Sequence, residues 1–193
     1  VDGQHTAIAA ATLGSIETLP CLVLDAATRA ERSAAFVGIN RDRVSLTAYA
    51  LYRARLIAGD PEAVMVNNAL VAAGATLHES IRQKETYPPG ALACVSTLLQ
   101  IVRWNGEALL TRVLKVACEA GLSPVPSALI RALAELMRAR GPSDAQLAAA
   151  IAEIGVARVL ARAADRVRAG QALNINSACG HILLDAVSAR KAA

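Results

Sequence analysis

From Thr47 onward the chain is punctuated by matched helix starts and stops, which limits it to a largely helical fold. Thr47 is a capping residue ahead of 48–58, which Gly59 ends. Asp60-Pro61-Glu62 then supplies an N-cap, a proline in the first turn and an acid at the positive end of the helix dipole. That helix runs to 73 and stops at Gly74. Residues 91–104 are apolar nearly all round, at Leu92, Cys94, Val95, Leu98, Leu99, Ile101 and Val102, which predicts a helix at the centre of its domain. Residues 106–120 place Leu109, Leu110, Val113, Leu114 and Ala117 on one face, and 127–140 repeat the pattern. Ser143 and Gln146 form a capping-box pair ahead of 147–154, and helices over 156–169 and 175–189 complete the set. Short links between them favour antiparallel neighbours, hence a multi-helix bundle.

The residues before Thr47 read differently. Val1-Asp2 is a strand end, Gly3–His5 a turn, and 6–13 a short helix stopped by Gly14. Residues 19–24, L-P-C-L-V-L, are a short apolar strand, 27–39 a helix and 40–45 a polar loop. The chain begins inside this αβ unit, so further strands are expected upstream of Val1. Residues 75–90 include Tyr87-Pro88-Pro89-Gly90 and show no clean period, which predicts a loop with at most a short strand. The expected organisation is a partial αβ unit over 1–46, linking helices and loop over 47–90, and a helical bundle over 91–193. The fold class is mainly α.

Composition narrows the function. The chain of 193 residues is 54% apolar and 19% charged, which describes an ordered protein. Aromatics are only 3%, too few for a module that stacks successive bases. A net charge of +4 suits a phosphate-bearing partner without demanding one. The four cysteines, Cys21, Cys94, Cys118 and Cys179, form no C-x-x-C pair and each sits in an apolar run. They read as small hydrophobes in a reducing cytoplasm. No apolar run reaches ~20 residues without a charge or break, so no membrane span is expected. His78 and His181 lack neighbouring ligands and read as structural or surface residues. No Walker A, G-x-S-x-G or H-E-x-x-H pattern occurs, and neither a catalytic residue nor a metal ligand is assigned.

The candidate chemistry lies at Val1–Gly14. A strand end, a glycine turn and a helix start in that order form an anion pocket, because the first N–H groups of a helix have no partner within it. Here the sequence resembles the ParB/sulfiredoxin-like superfamily. Gly3–Ala10, G-Q-H-T-A-I-A-A, is similar in spacing to the G-E-R-R-x-R-A-A box of ParB-type partition proteins. With Asp2 it also looks like the D-G-Q-H-R box of ParB-like nuclease domains. Downstream, Ile39-Asn40-Arg41-Asp42-Arg43-Val44-Ser45-Leu46 matches E-N-x-x-R-x-x-L at Asn40, Arg43 and Leu46. The resemblance covers residues 1–50. It implies a nucleotide, CTP or ATP with magnesium, whose phosphates meet Asp2, Gly3, Gln4, His5 and Thr6 with Asn40 and Arg43 beside them. It also implies a DNA-associated partition or phage-type protein. Thr6 stands where the family carries an arginine, and Ile39 where it carries the metal-side glutamate.

Two groups of arginines bear on DNA. Arg41, Arg43, Arg53 and Arg55 follow the first box, and Arg158, Arg162 and Arg166 recur every four residues on one helix. Asp165 and Glu153 dilute the second group, which therefore reads first as solvated surface. Val64–Ala73 is mainly apolar and does not look like a recognition helix. A runner-up reading follows from Thr6 and Ile39 and from the long apolar helices. It is a helical interaction or homodimerisation adaptor whose αβ unit binds no nucleotide. A nuclease or nucleotide hydrolase comes third.

Overall fold

The computed structural model describes residues 4–20, 28, 31, 47–82, 85–139 and 141–192. The chain divides into two compact units, Val1–Ser45 and Leu46–Ala193. Among the described residues it is mainly α-helical, with a single pair of two-residue strands.

In the first unit, α1 spans Gln4–Leu13. Gly14 closes it by donating to the Ala10 carbonyl at 3.2 Å. The helix begins two residues before the predicted start at Thr6, so Gln4 and His5 belong to it and not to a turn. Neither residue type opposes helix formation, and the sequence offers no capping side chain at position 5 that would delay the start. Further along, the Thr28 N–H donates to Glu31 at 2.8 Å and the Glu31 N–H to the Thr28 hydroxyl at 3.2 Å, a reciprocal capping pair. The predicted strand beyond Pro20, most of the helix over 27–39 and the loop over 40–45 lie outside the described residues.

The second unit opens with α2 (Ala48–Ile57), whose Thr47 hydroxyl accepts the Ala50 N–H at 3.1 Å. Next, α3 (Pro61–Ala73) starts on Asp60, which accepts from Ala63 N–H at 3.0 Å, and ends on Gly74 in the left-handed region. Strand β1 (Thr76–Leu77) then pairs in parallel with β2 (Ala91–Leu92). The sequence pattern placed the start of a helix at 91, and this is a correction. Ala91 and Leu92 are fully buried, the Leu92 carbonyl accepts His78 N–H at 2.8 Å, and the Ala91 carbonyl accepts Val125 N–H at 2.8 Å. A short apolar run is equally compatible with a buried strand, and here partners distant in sequence decide it. At the entry to β2, Gly90 has φ +83°, and a Cβ there would lie 2.5 Å from the Cys118 sulfur and 3.2 Å from the Ala75 backbone. Only glycine lets these three segments approach so closely.

The remaining helices are α4 (Val95–Glu119), α5 (Ser127–Arg138), α6 (Asp144–Ile154), α7 (Val156–Arg168) and α8 (Ile175–Ala192). The two helices expected around position 105 are both present, and α4 denotes the pair, joined across a break at Gly106 with φ 79° and ψ 173°, a conformation essentially reserved for glycine. α4 is the hub, packed on α2, α3, α5 and α6, while α8 packs on α5, α6 and α7. Leu98, Leu110, Leu114, Leu129, Ile130, Leu133, Leu147, Ile151 and Leu183 are fully buried and join these helices into one core. Among the described residues no helix is long and apolar enough to cross a membrane.

Candidate phosphate and nucleic-acid interface

The N-terminal box is built on the first turn of α1. With the helix opening at Gln4, the backbone N–H groups of Gln4, His5 and Thr6 have no acceptor inside it. Thr6 is exposed. Asp2, Gly3, Asn40, Arg41 and Arg43 lie outside the described residues.

The arginines chosen from sequence meet different fates. Arg53 is exposed on α2, donates to the Tyr49 hydroxyl at 3.4 Å and stands 6.0 Å above the Tyr49 ring. Arg55, although only two residues on, faces the other way. Its Nη2 bonds Asp60 at 2.9 Å and Glu62 at 2.9 Å. Glu62 also accepts from Arg103 of α4, at 2.7 Å from Nε and 2.9 Å from Nη2. One carboxylate thus ties three helices together. Arg103 and Arg55 hold the Glu62 carboxyl down at about 2. The Ala63 N–H, then Arg55, lower Asp60. Arg55 is therefore engaged by carboxylates of its own chain in a partly exposed network. Its partners lie only five and seven residues on, at the start of α3, and the turn between α2 and α3 brings them to Arg55 and not to Arg53.

On α7, Arg158 and Arg162 are exposed and make no ion pair among the described residues. Arg166 bonds Asp185 of α8 at 2.7 Å, so the third member of the stripe braces two helices. Arg168 pairs with Asp165 on its own helix. Beside them, Arg190 of α8 bonds Glu153 of α6 at 2.6 Å. Glu153, Arg162, Arg166, Asp185 and Arg190 rim a groove of about 470 Å³ that includes Ile182 and Ala186. A second, smaller cleft of about 140 Å³ lies between α4 and α5, lined by Gln100, Trp104, Arg131, Glu135 and Arg138. Sequence periodicity did not single it out. The one signal available was the lone tryptophan of an aromatic-poor chain.

Burial pushes the Cys94 thiol up to about 11 and also raises Cys118 and Cys179. His78 shares a hydrogen bond with the Thr76 hydroxyl at 3.3 Å and meets the Tyr87 ring edge-on at 5.0 Å. His181 is exposed on α8. Among the described residues no group of three His, Cys, Asp or Glu side chains could hold a metal ion.

A family model described as a family of unknown function (DUF6551) matches residues 1–139, and the chain belongs to that family. The match takes in α1 to α5 and leaves α6, α7 and α8 outside. No curated protein and no solved structure matches the chain.

Proposed function

We propose that this chain is a ParB-like, DNA-associated protein of the partition or phage type that binds the phosphates of CTP or ATP. Asp2, Gly3, Gln4, His5 and Thr6 would face those phosphates, with Asn40 and Arg43 beside them. The observation that carries the reading is the opening of α1 at Gln4, inside the box, which leaves the N–H groups of its first turn directed along the helix axis, where an anion would sit. Apart from Asp2, the donors between residues 2 and 6 are neutral. Magnesium would therefore enter with the nucleotide, held mainly by its phosphate oxygens. Of the arginines proposed for a DNA backbone, Arg53, Arg158 and Arg162 are exposed and outside any ion pair among the described residues, and Arg41 would stand with them. The free thiols Cys94, Cys118 and Cys179 suit a reducing cytoplasm.

Titration calorimetry of the full-length protein with CTP and ATP, with and without magnesium, tests this. Heat with one of them is expected, and Thr6→Arg should tighten binding about tenfold by adding a charge-assisted phosphate contact. No heat with either nucleotide would overturn the reading.

A second reading is a helical adaptor that binds itself or another protein. It is favoured by the capture of Arg55, Arg103, Arg112, Arg166 and Arg190 by carboxylates of the same chain, which removes them from any phosphate surface. It predicts a dimer in sedimentation that forms without nucleotide. It also predicts DNA affinity too weak to show the steep salt dependence of phosphate contacts.

A further inference from the structure

The cleft between α4 and α5 brings together an exposed tryptophan and a half-buried arginine that meets no carboxylate among the described residues. Trp104, the chain's single tryptophan, is 71% exposed, two residues before the Gly106 break. Beside it Arg131 is half-buried and donates to Gln100 Oε1 and, at 3.2 Å, to the Thr97 hydroxyl. Both acceptors are neutral, and Arg131 makes no ion pair among the described residues. Five of the other arginines reach a carboxylate on another helix or a helix start. The Gln100 and Thr97 bonds hold the guanidinium in one place without neutralising it, which is how a pre-formed anion contact is kept ready.

Size and charge select the occupant. At about 140 Å³ the cleft falls below the roughly 300 Å³ where small-molecule and cofactor pockets begin. It accommodates one side chain. Arg131 and Arg138 face a single carboxylate, Glu135, so the lining carries one net positive charge. Tryptophan and arginine around a small pocket are also the residue types that dominate protein interfaces. We propose that this cleft receives an acidic side chain of a partner protein, its carboxylate on Arg131 and Arg138 and a neighbouring apolar residue on the Trp104 indole. The inference needs neither nucleotide at residues 2–6 nor a dimer, so it stands or falls apart from the readings above.

Trp104 supplies its own reporter. The full chain is titrated with a short blocked peptide of alternating glutamate and leucine, its counterpart with glutamine for glutamate, and a single-stranded oligothymidylate, following tryptophan emission. The glutamate peptide should shift the emission to the blue and saturate, and the glutamine peptide should not. Arg131→Gln should weaken binding about thirtyfold and Arg138→Gln about threefold, the first removing the seated charge and the second a rim charge. Arg138 makes no side-chain hydrogen bond or ion pair among the described residues, so its variant remains informative if Arg131→Gln unfolds. Four results overturn the proposal: no shift with the glutamate peptide, equal binding of the glutamine peptide, a shift with the oligonucleotide alone, or a shift on simply concentrating the protein.

Discussion

The α3–α4 junction and the α7–α8 junction use the same ingredients, an apolar stripe and an Arg–carboxylate pair, in different proportions. On α3 the buried stripe is Ala63, Val66, Ala69 and Leu70, laid against α4, the hub of the unit. At its start Glu62 accepts from both Arg55 and Arg103. On α7 only Val159 and Ala163 are buried, and the pair Arg166–Asp185 sits at the surface, with Asp185 66% exposed. Apolar burial sets how strongly each junction holds, because area removed from water scales with stabilisation while exposed pairs are screened. The shared carboxylate at Glu62 adds orientation. It fixes how α2, α3 and α4 are rotated against one another, since a bidentate guanidinium contact tolerates little angular error.

Matched truncations offer the sharpest way to break this comparison. Val66 and Val159 are both fully buried valines, one at each junction. Val66→Ala should cost about 2.5 kcal/mol in urea unfolding, because α4 cannot collapse into the space. Val159→Ala should cost about 1.5 kcal/mol, close to the transfer value of the lost methyl groups, because a helix with a thin stripe can settle inward. Equal costs would remove the distinction.

Acid tests the ion network next. The Glu62 carboxyl is lowered from 4.5 to about 2 in the folded chain. A depressed carboxylate stabilises fully above its unfolded value and loses that contribution as pH falls through the folded one. Stability should therefore decline between about pH 5 and pH 2, and Glu62→Gln should flatten the decline relative to the parent, read by denaturant midpoints across that window. An unchanged slope would mean that the network does not contribute to folding. The smallest effect is expected at the other junction. Arg166→Ala should change stability by about 0.5 kcal/mol or less, and added salt should erase what difference there is.

The sequence was informative where the deciding atoms are neighbours along the chain. Thr47 caps α2 through the N–H three residues on, Asp60 does the same for α3, and Ser143 and Gln146 form their reciprocal pair at the start of α6. Gly106 marks the break in α4 and Gly74 the end of α3 for the same reason, since φ near +70° to +80° is a local demand that glycine meets. The candidate site is read from a motif order in residues 1–50, which remains a proposal. Of its geometry, the structure adds that α1 opens at Gln4.

The tertiary structure decided the rest, in most cases because the partners are far apart in sequence. Ala91 and Leu92 become a strand because Thr76–Leu77 lies alongside and the Val125 N–H reaches the Ala91 carbonyl, not because of any period in their own neighbourhood. Arg53 stays at the surface and Arg55 is drawn inward by Asp60 and Glu62, although both had the same standing as basic residues in the sequence. Arg131 and Trp104 meet at one cleft across two helices. Capping and backbone dihedrals are settled within a few residues, so the sequence determined a helical chain and where most of its helices begin and end. Pairing and exposure depend on which surfaces the packed core brings together, and these chose which charges remain free to bind.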